Sequence, residues 1–326
     1  MQELYYWEAL NQALKEEMNR DPLVFCMGEG IGQRGGSFKV TTGLWEEFGS
    51  ERIMDTPLSE ASFTGAGVGA AIIGTRPVVE IMFIDFTALI LDQIVNQAAK
   101  YNFMSGGKGK VPLVLRTQGG CGNGIAAQHS QSLESWYYHI PGLKVVMPST
   151  PADAKGLLKT SIRDDDPVIF IEHKRLYQTK GPVPDGEYTI PLGNADIKRT
   201  GKDVTIVTYS LMTLRCLEAA EQLEQEGIDA EIIDLRTIYP MDKEVILTSV
   251  KKTNRLVIVH EACCRGGVGG DIAGFVAENG FDYLDAPILR ICGKNTPIPY
   301  NQNLEDVCVP QVKDIVDGVK KVMKYL

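Results

Sequence analysis

The chain has 326 residues, more than a single hydrophobic core usually organises, so two domains of roughly 100 to 200 residues each are expected. Its 44% apolar content is ordinary for a globular protein, and a formal net charge of -9 argues against a nucleic-acid-binding surface, which depends on Lys and Arg neutralising phosphate. No cationic, apolar leader opens the sequence and no apolar run approaches the ~20 residues needed to cross a bilayer, so a soluble, cytoplasmic protein without membrane contact is expected.

Residues 5–19 place Trp7, Leu10, Ala13, Leu14 and Met18 on one helical face, and Arg20-Asp21-Pro22 ends that helix. A buried strand over 23–27 follows. The alternation continues with strands at 52–54, 78–83, 111–116, 144–147 and 168–172, and helices at 65–73, 89–101, 130–139 and 152–162. Between Lys174 and Thr200 the pattern lapses into turns marked by Gly181, Pro182, Pro184, Gly186, Pro191 and Gly193. Beyond it, strands at 204–208, 230–233 and 256–259 alternate with helices at 214–226 and 243–253, and a last helix spans 312–325. The fold class is therefore α/β with two doubly wound domains: one over 1–185, a linker over 186–200, and a smaller one over 201–326.

The seven cysteines are odd in number and lack metal-ligand spacing, which predicts reduced thiols. Adjacent Cys263 and Cys264 would diverge on a strand and are poorly suited to share a zinc. Gly65-Ala66-Gly67-Val68-Gly69-Ala70-Ala71 departs from the dinucleotide fingerprint, and close helix packing explains it better. Arg265-Gly266-Gly267-Val268-Gly269-Gly270 lacks the Lys-Ser/Thr ending of a phosphate loop and reads as a turn opening a helix.

Two stretches carry the strongest chemical signal. Ala126-Ala127-Gln128-His129-Ser130 puts one of only four histidines behind a glycine-crowded loop, Gly119-Gly120-Cys121-Gly122-Asn123-Gly124, where backbone approaches a ligand closely. Asp55-Thr56-Pro57-Leu58-Ser59-Glu60 puts Glu60 where a strand turns into a helix, and a glutamate buried there would have a raised pKa. Each has a bland alternative: Glu60 as a first-turn glutamate complementing the helix dipole, His129 as a hydrogen-bonded histidine at a helix start.

Together with Gly28-Glu29-Gly30, Gly35 to Thr41, Arg76-Pro77, Asp85-Phe86, Pro141 to Val146, Leu235-Arg236-Thr237 and Pro240-Met241-Asp242, these stretches resemble the beta subunit of the thiamine-diphosphate-dependent decarboxylase component of 2-oxo acid and acetoin dehydrogenase complexes. The resemblance runs nearly end to end. It implies an N-terminal thiamine pyrimidine-binding domain and a transketolase C-terminal-like domain. It gives Glu60 the role of the carboxylic acid against the pyrimidine nitrogen, favouring the imino tautomer that removes the thiazolium proton. It makes His129 the group facing the reacting carbon during decarboxylation and acyl transfer to a lipoyl group. Phe86, otherwise a core aromatic, and Met82 correspond to residues against the pyrimidine ring, and Glu29 to a further active-site carboxylate.

The same resemblance points to a structural potassium ion held by carbonyl oxygens matching Leu113, Ser161, Ile162 and Asp164, plus the residue matching Asp166, a hard-cation donor set. The bland reading of Ser161 to Pro167 is a polar turn closing a helix, and some relatives have Asn where this chain has Asp166. The chain contains no Gly-Asp-Gly, the signature of a magnesium and diphosphate site. The resemblance therefore implies an alpha subunit that holds Mg2+ and shares the thiamine diphosphate in an alpha2beta2 heterotetramer, and a dihydrolipoyl acyltransferase core whose lipoyl domain accepts the acyl unit.

Pyruvate is the expected substrate as the commoner activity. Gly106-Gly107-Lys108 with Val111 to Val114 is nearer acetoin-type members, while Gly35-Gly36-Ser37-Phe38 also suits pyruvate-type ones. Branched-chain 2-oxo acids are a further alternative. Rival readings are a non-catalytic scaffold subunit and the C-terminal fragment of a transketolase-like enzyme.

Overall fold

A computed structural model describes residues 1–325. The chain divides into two compact units, one built from Met1–Gly119 and Trp136–Leu192, the other from Gly120–Ser135 and Gly193 onward.

In chain order the elements up to residue 192 are β1 (Gln2–Tyr5), α1 (Tyr6–Arg20), β2 (Val24–Gly28), α2 (Leu44–Phe48), β3 (Ile53–Asp55), α3 (Glu60–Ile72), β4 (Arg76–Ile81), α4 (Ala99–Met104), β5 (Val114–Gly119), α5 (Glu134–Tyr138), β6 (Lys144–Val146), α6 (Pro151–Arg163), β7 (Val168–His173) and β8 (Lys180–Val183). Six strands of the first unit form a parallel sheet in the order β6-β7-β5-β4-β2-β3. Parallel strands covered on both faces are largely apolar, and β5 and β7 are buried at every position even though they carry Arg116 and Glu172.

Helix α1 buries Leu10, Ala13, Leu14 and Met18 of the stripe its spacing predicts, with Tyr6 and Ala9 buried in place of the expected Trp7, which is only half-buried, and packs on α6. Charges close that seam. Glu17 is fully buried and accepts from Arg163 Nε at 3.0 Å, while Lys155 and Lys159 each reach Glu16 at 2.7 Å. Gly67 shows why α3 is rich in small residues: a Cβ there would lie 2.7 Å from Val79 Cγ2, so the helix rests directly on β4. The packing reading of that glycine run is met at Gly67, whereas a Cβ on Gly69 would meet nothing within 4 Å.

Three expectations need correction. The helix foreseen over 65–73 begins at Glu60, because the residues before Gly65 continue the helical backbone. The helix foreseen over 89–101 is a 3₁₀ stretch (Ile84–Ile90), a π-helical stretch (Asp92–Ala98) and then α4, a variation in winding that apolar spacing does not encode. The helix foreseen over 130–139 is confined to α5, because its first residues are tied elsewhere: Gln131 O accepts from Gly120 N at 2.9 Å. The antiparallel pair β1–β8 was not foreseen, since each strand is only four residues long.

The second unit continues with β9 (Asp196–Arg199), β10 (Val204–Thr208), α7 (Leu211–Gln225), β11 (Ala230–Asp234), β12 (Thr237–Tyr239), α8 (Lys243–Thr253), β13 (Leu256–Cys263), α9 (Val268–Asn279), β14 (Leu289–Gly293), α10 (Gln302–Cys308) and α11 (Val312–Val322). Its sheet runs β14-β13-β10-β11-β9, parallel except for β9. The second glycine run opens α9 over His260, where a Cβ on Gly267 or Gly269 would come within 2.6 Å of the imidazole. Cys264 and Cys292 form a disulfide, which corrects the expectation of seven reduced thiols. The parallel pairing of β13 with β14 sets His260 opposite Cys292, so tertiary register brings together sulfurs 28 residues apart in sequence. The other five cysteines are free, and burial pushes the Cys26 and Cys216 thiols up to about 12, leaving them inert. No helix among the described residues is long and apolar enough to cross a membrane.

At the centre of the first sheet, Arg116 on β5 is 1% exposed and forks onto both oxygens of Glu172 on β7, Nε to Oε1 at 2.6 Å and Nη2 to Oε2 at 2.8 Å. Its Nη1 reaches Glu80 on β4 at 2.6 Å. Removing the cation would leave two carboxylates buried without a counter-charge. Arg116→Met is therefore expected to lower unfolding free energy by about 3–5 kcal/mol, read from urea denaturation; a loss below 1 kcal/mol would show that the fork does not hold the sheet.

Candidate functional site

Doubly wound sheets bind ligands beyond the carboxyl ends of their strands, where neighbouring strands send their connections to opposite sides. In the first sheet that place lies between β2 and β4: β2 is followed by β3 on one side, β4 by β5 on the other. Glu29 follows β2, Met82 and Phe86 follow β4, and Glu60 opens α3 after β3. The topology thus sets all four sequence-derived residues of this unit at one crevice.

The connections after β2 and β3 are locked together. Thr56 N donates to Gly28 O at 2.9 Å, and Gly32 N to Asp55 Oδ1 at 2.8 Å. A side chain on Gly32 would collide with the same Asp55 carboxylate, its Cβ 2.5 Å from Oδ2. Glu60 is the first residue of α3, behind Ser59, and is half-buried. The burial expected of Glu60 falls on Glu29 instead. Glu29 is 9% exposed, and its pKa is raised first by burial and next by the charge of Glu60, against a lowering bond from the Ser59 backbone. Its Oε1 is buried with no hydrogen-bond partner in the chain. A carboxyl oxygen aimed at nothing beside a second carboxylate is a place for a ligand donor.

The apolar wall comes from aromatics. Phe86 packs edge-on against Phe83, centroids 5.6 Å apart, and Phe83 meets Phe38 at 6.0 Å. Phe38 stacks on Tyr177 at 4.7 Å, and Lys174 lies 5.2 Å over the Phe83 ring. Phe86 and Met82 are half-buried, so each keeps surface for a flat apolar ligand. A buried carboxyl beside an aromatic wall suits a heteroaromatic ring with a protonatable nitrogen. These residues fit the pyrimidine part of thiamine diphosphate.

His129 belongs to the second unit, on an irregular loop and not at a helix start. It is half-buried, and its backbone N–H closes a turn on Ala126 O at 3.3 Å. In the second sheet the connections diverge between β10 and β13. The loop of residues 120–135 docks there through carboxylates that lie far apart in sequence and gave no signal in it. Cys121 N donates to Glu261 Oε1 at 2.7 Å, while Gly122 N and Gly124 N donate to Glu305 Oε1 and Oε2 at 2.6 and 3.0 Å. Tyr209, just past β10, donates to Glu134 Oε1 at 2.9 Å. Burial, followed by the charges of Glu261 and Glu305, raises the Cys121 thiol well above its ordinary range.

Beneath the loop, His260 stacks parallel to Tyr209 at 6.2 Å. Burial, reinforced by the Arg290 charge, holds it down to about 4, so its imidazole is neutral at physiological pH. His139 is exposed, and His173 is buried with Nδ1 accepting from Arg175 N at 3.1 Å.

The potassium donor set lies at the end of α6, where helix carbonyls lack intrahelical partners and the dipole favours a cation. Ile162 O and Asp164 O accept from Arg76 Nη1 at 3.1 and 2.9 Å, Leu113 O from Val168 N at 2.9 Å, and Ser161 O from Asp164 N at 3.3 Å. Lys144 holds the Asp164 and Asp166 carboxylates at 2.7 and 3.1 Å. Three side-chain cations already balance this turn: Arg76, Lys144 and, on Asp165, Lys110.

Comparison with known proteins matches residues 2–180 to the transketolase pyrimidine-binding domain and residues 193–315 to the transketolase C-terminal domain. The chain is 49% identical to the pyruvate dehydrogenase E1 component subunit beta of Dictyostelium discoideum, over 97% of its own length and 90% of that protein. It is 50% identical to the corresponding subunit of Rickettsia felis, covering 98% of each chain. It is 51% identical to the acetoin:2,6-dichlorophenolindophenol oxidoreductase subunit beta of Cupriavidus necator, over 97% of this chain and 96% of that one. Among solved structures, a split-gene transketolase described as an inactive beta4 tetramer superposes with a TM-score of 0.82 over 99% of both chains at 22% identity, a likeness of fold.

Glu134 supplies a pH test of the docked loop. It is 1% exposed, and burial, aided by the charge of Glu261, pushes its pKa up to about 7 against lowering bonds from backbone and Tyr209. The native state therefore binds an extra proton between the ordinary glutamate range and about 7. Its contribution to stability is full below that range and lost as pH rises through about 7. Glu134→Gln is expected to remove this dependence and to be the more stable form above pH 7, by up to ~3 kcal/mol, in denaturation curves taken from pH 5 to 8. Parallel curves for the two proteins would refute the assignment.

Proposed function

Because the chain belongs to the family of E1 component beta subunits, with transketolase pyrimidine-binding and C-terminal domains, we propose that it is the beta half of a thiamine-diphosphate-dependent 2-oxo acid dehydrogenase. It decarboxylates pyruvate and passes the acetyl unit to the lipoyl group of a dihydrolipoyl acyltransferase. The observation that carries this reading within the chain is the Glu29 and Glu60 carboxyl pair at the crevice beyond β2 and β3, with an unpartnered Glu29 oxygen. Acetoin cleavage is the second reading, supported by the 51% identity to an acetoin-oxidising relative, a value level with the pyruvate ones.

The cofactor, when bound, supplies the electron sink for decarboxylation. Glu60 would present its carboxyl group to the pyrimidine ring nitrogen. Glu29, whose pKa is raised by burial and by the Glu60 charge, stands beside it. Phe86 and Met82 would lie against the ring and exclude water. His129 gives and takes a proton as the acyl unit leaves for the lipoyl sulfur. The sequence has no Gly-Asp-Gly, so an alpha subunit supplies Mg2+ and the diphosphate grip, in an alpha2beta2 assembly working in the cytoplasm.

Potassium enters the proposal at Leu113, Ser161, Ile162, Asp164 and Asp166. A carbonyl oxygen has two lone pairs, so Ile162 and Asp164 can serve an ion together with Arg76. A higher melting temperature in KCl than in LiCl of equal strength is expected; identical melting would remove the ion.

In the enzyme assembled with its alpha partner, Glu60→Gln is expected to lower turnover ~100-fold or more, the scale of a lost proton-transfer group. A scaffold subunit would tolerate the change. His129→Ala is expected to leave cofactor binding largely intact while crippling, with a measurable residual rate, reductive acylation of the lipoyl domain; normal acylation would remove His129 from the mechanism. Dye-reduction assays with pyruvate, acetoin and branched 2-oxo acids decide the substrate, and activity confined to acetoin would favour the second reading.

A further inference from the structure

Residues 120–133 contain no helix or strand, so the loop's backbone donors must find acceptors outside regular structure. Glu305 is 1% exposed on α10 and, among the described residues, forms no ion pair. A buried carboxylate without a cation is costly unless hydrogen bonds satisfy it. Its two oxygens each take one loop amide, from Gly122 and Gly124. Both glycines have positive φ, 105° and 63°, which turns successive N–H groups toward one acceptor. The carboxylate is itself aimed by a cap, since the Asn301 side chain accepts from Asn303 N and Leu304 N at 3.0 and 3.3 Å.

Glu261 makes a second anchor. It sits where the β13–β14 register shifts between His260 and Cys263, a bulge that turns its side chain to Cys121 N at 2.7 Å and Ser132 Oγ at 3.4 Å. The anchored positions bracket His129 on both sides, at 121–124 and at 132. The loop thereby fills the crevice of the second sheet, the position a ligand takes in other doubly wound folds.

We infer that Glu305, with Glu261, is a positioning residue: the C-terminal domain uses the two carboxylates to fix the loop that aims His129 at the acyl-transfer step. This inference rests on the catalytic reading of His129. Glu305→Gln keeps size and shape but replaces one acceptor by an NH₂ group facing a backbone N–H.

In the complete alpha–beta enzyme, Glu305→Gln is expected to lower reductive acylation of a free lipoyl domain ~10–100-fold, the scale of an ångström-level misplacement. Reduction of 2,6-dichlorophenolindophenol with the same substrate should change less than threefold, because that route does not need His129 to meet the lipoyl sulfur. Hydrogen exchange should speed up in the peptide covering 119–133 and not elsewhere. In a His129→Ala background the substitution should cause no further loss of acylation. Equal loss in both assays, unchanged exchange in the loop, or a full multiplicative loss in the double variant would overturn the inference. If Glu305→Gln does not assemble, Glu261→Gln carries the same test through the Cys121 and Ser132 bonds. Intact acylation in His129→Ala alone would end the catalytic reading of His129, while loop exchange still reports whether the carboxylates anchor the loop.

Discussion

A guanidinium can sit inside a parallel sheet only if carboxylates reach it with good geometry, and the first unit is built around such a contact. Arg116 is paired in register with Glu80 on the neighbouring strand and lies diagonally across from Glu172 on the other side. The three strands β4, β5 and β7 are therefore fixed along their length as well as side by side. A slip of one residue would carry the charge to the opposite face, away from its partners. Because β2 follows β4 in register, with Gly28 opposite Glu80, the same contact sets how far Glu29 projects beyond the sheet. The crevice holding Glu29, Glu60, Met82 and Phe86 inherits its geometry from a charge cluster beneath it.

The second unit meets the same demand differently. Its connections diverge between β10 and β13, and the resulting crevice is filled by the 120–135 loop. Carboxylates receive the loop's amides, and a neutral His260 under Tyr209 supplies a flat floor. Glycine is required on both sides of that contact. Gly267 and Gly269 leave no room for a Cβ above the imidazole, and Gly122 and Gly124 adopt backbone angles that other residues rarely reach. The second unit thus governs, within itself, the conformation of the loop that carries His129.

Charge balance recurs at the end of α6. Its last carbonyls accept from Arg76, the Asp164 and Asp166 carboxylates of the following turn face Lys144, and Asp165 faces Arg76 and Lys110. The donor set that invites a hard cation is the set that these side chains already serve. Family resemblance suggested the donors, and only the folded structure brings the competing cations to them.

Much of the fold was legible in the sequence because apolar periodicity reports burial directly. The alternation of strands and helices, the stripe of α1, and the position of Glu60 between β3 and α3 all follow from local spacing. His129 could be picked out as a candidate because a glycine-crowded loop precedes it, whereas Glu29 was named by the family resemblance alone. Other features depend on residues distant in sequence and close in space. Arg116 with Glu80 and Glu172, Cys264 with Cys292, and Glu261 and Glu305 with the His129 loop involve ordinary residue types at unremarkable spacings. Which of two carboxyls is buried, Glu29 or Glu60, was likewise decided by packing, since burial belongs to the assembled sheet and not to a neighbourhood in the chain. Sequence determined the elements and the residue types available for chemistry; tertiary structure decided their partners, because desolvation and strand register arise only once distant segments meet.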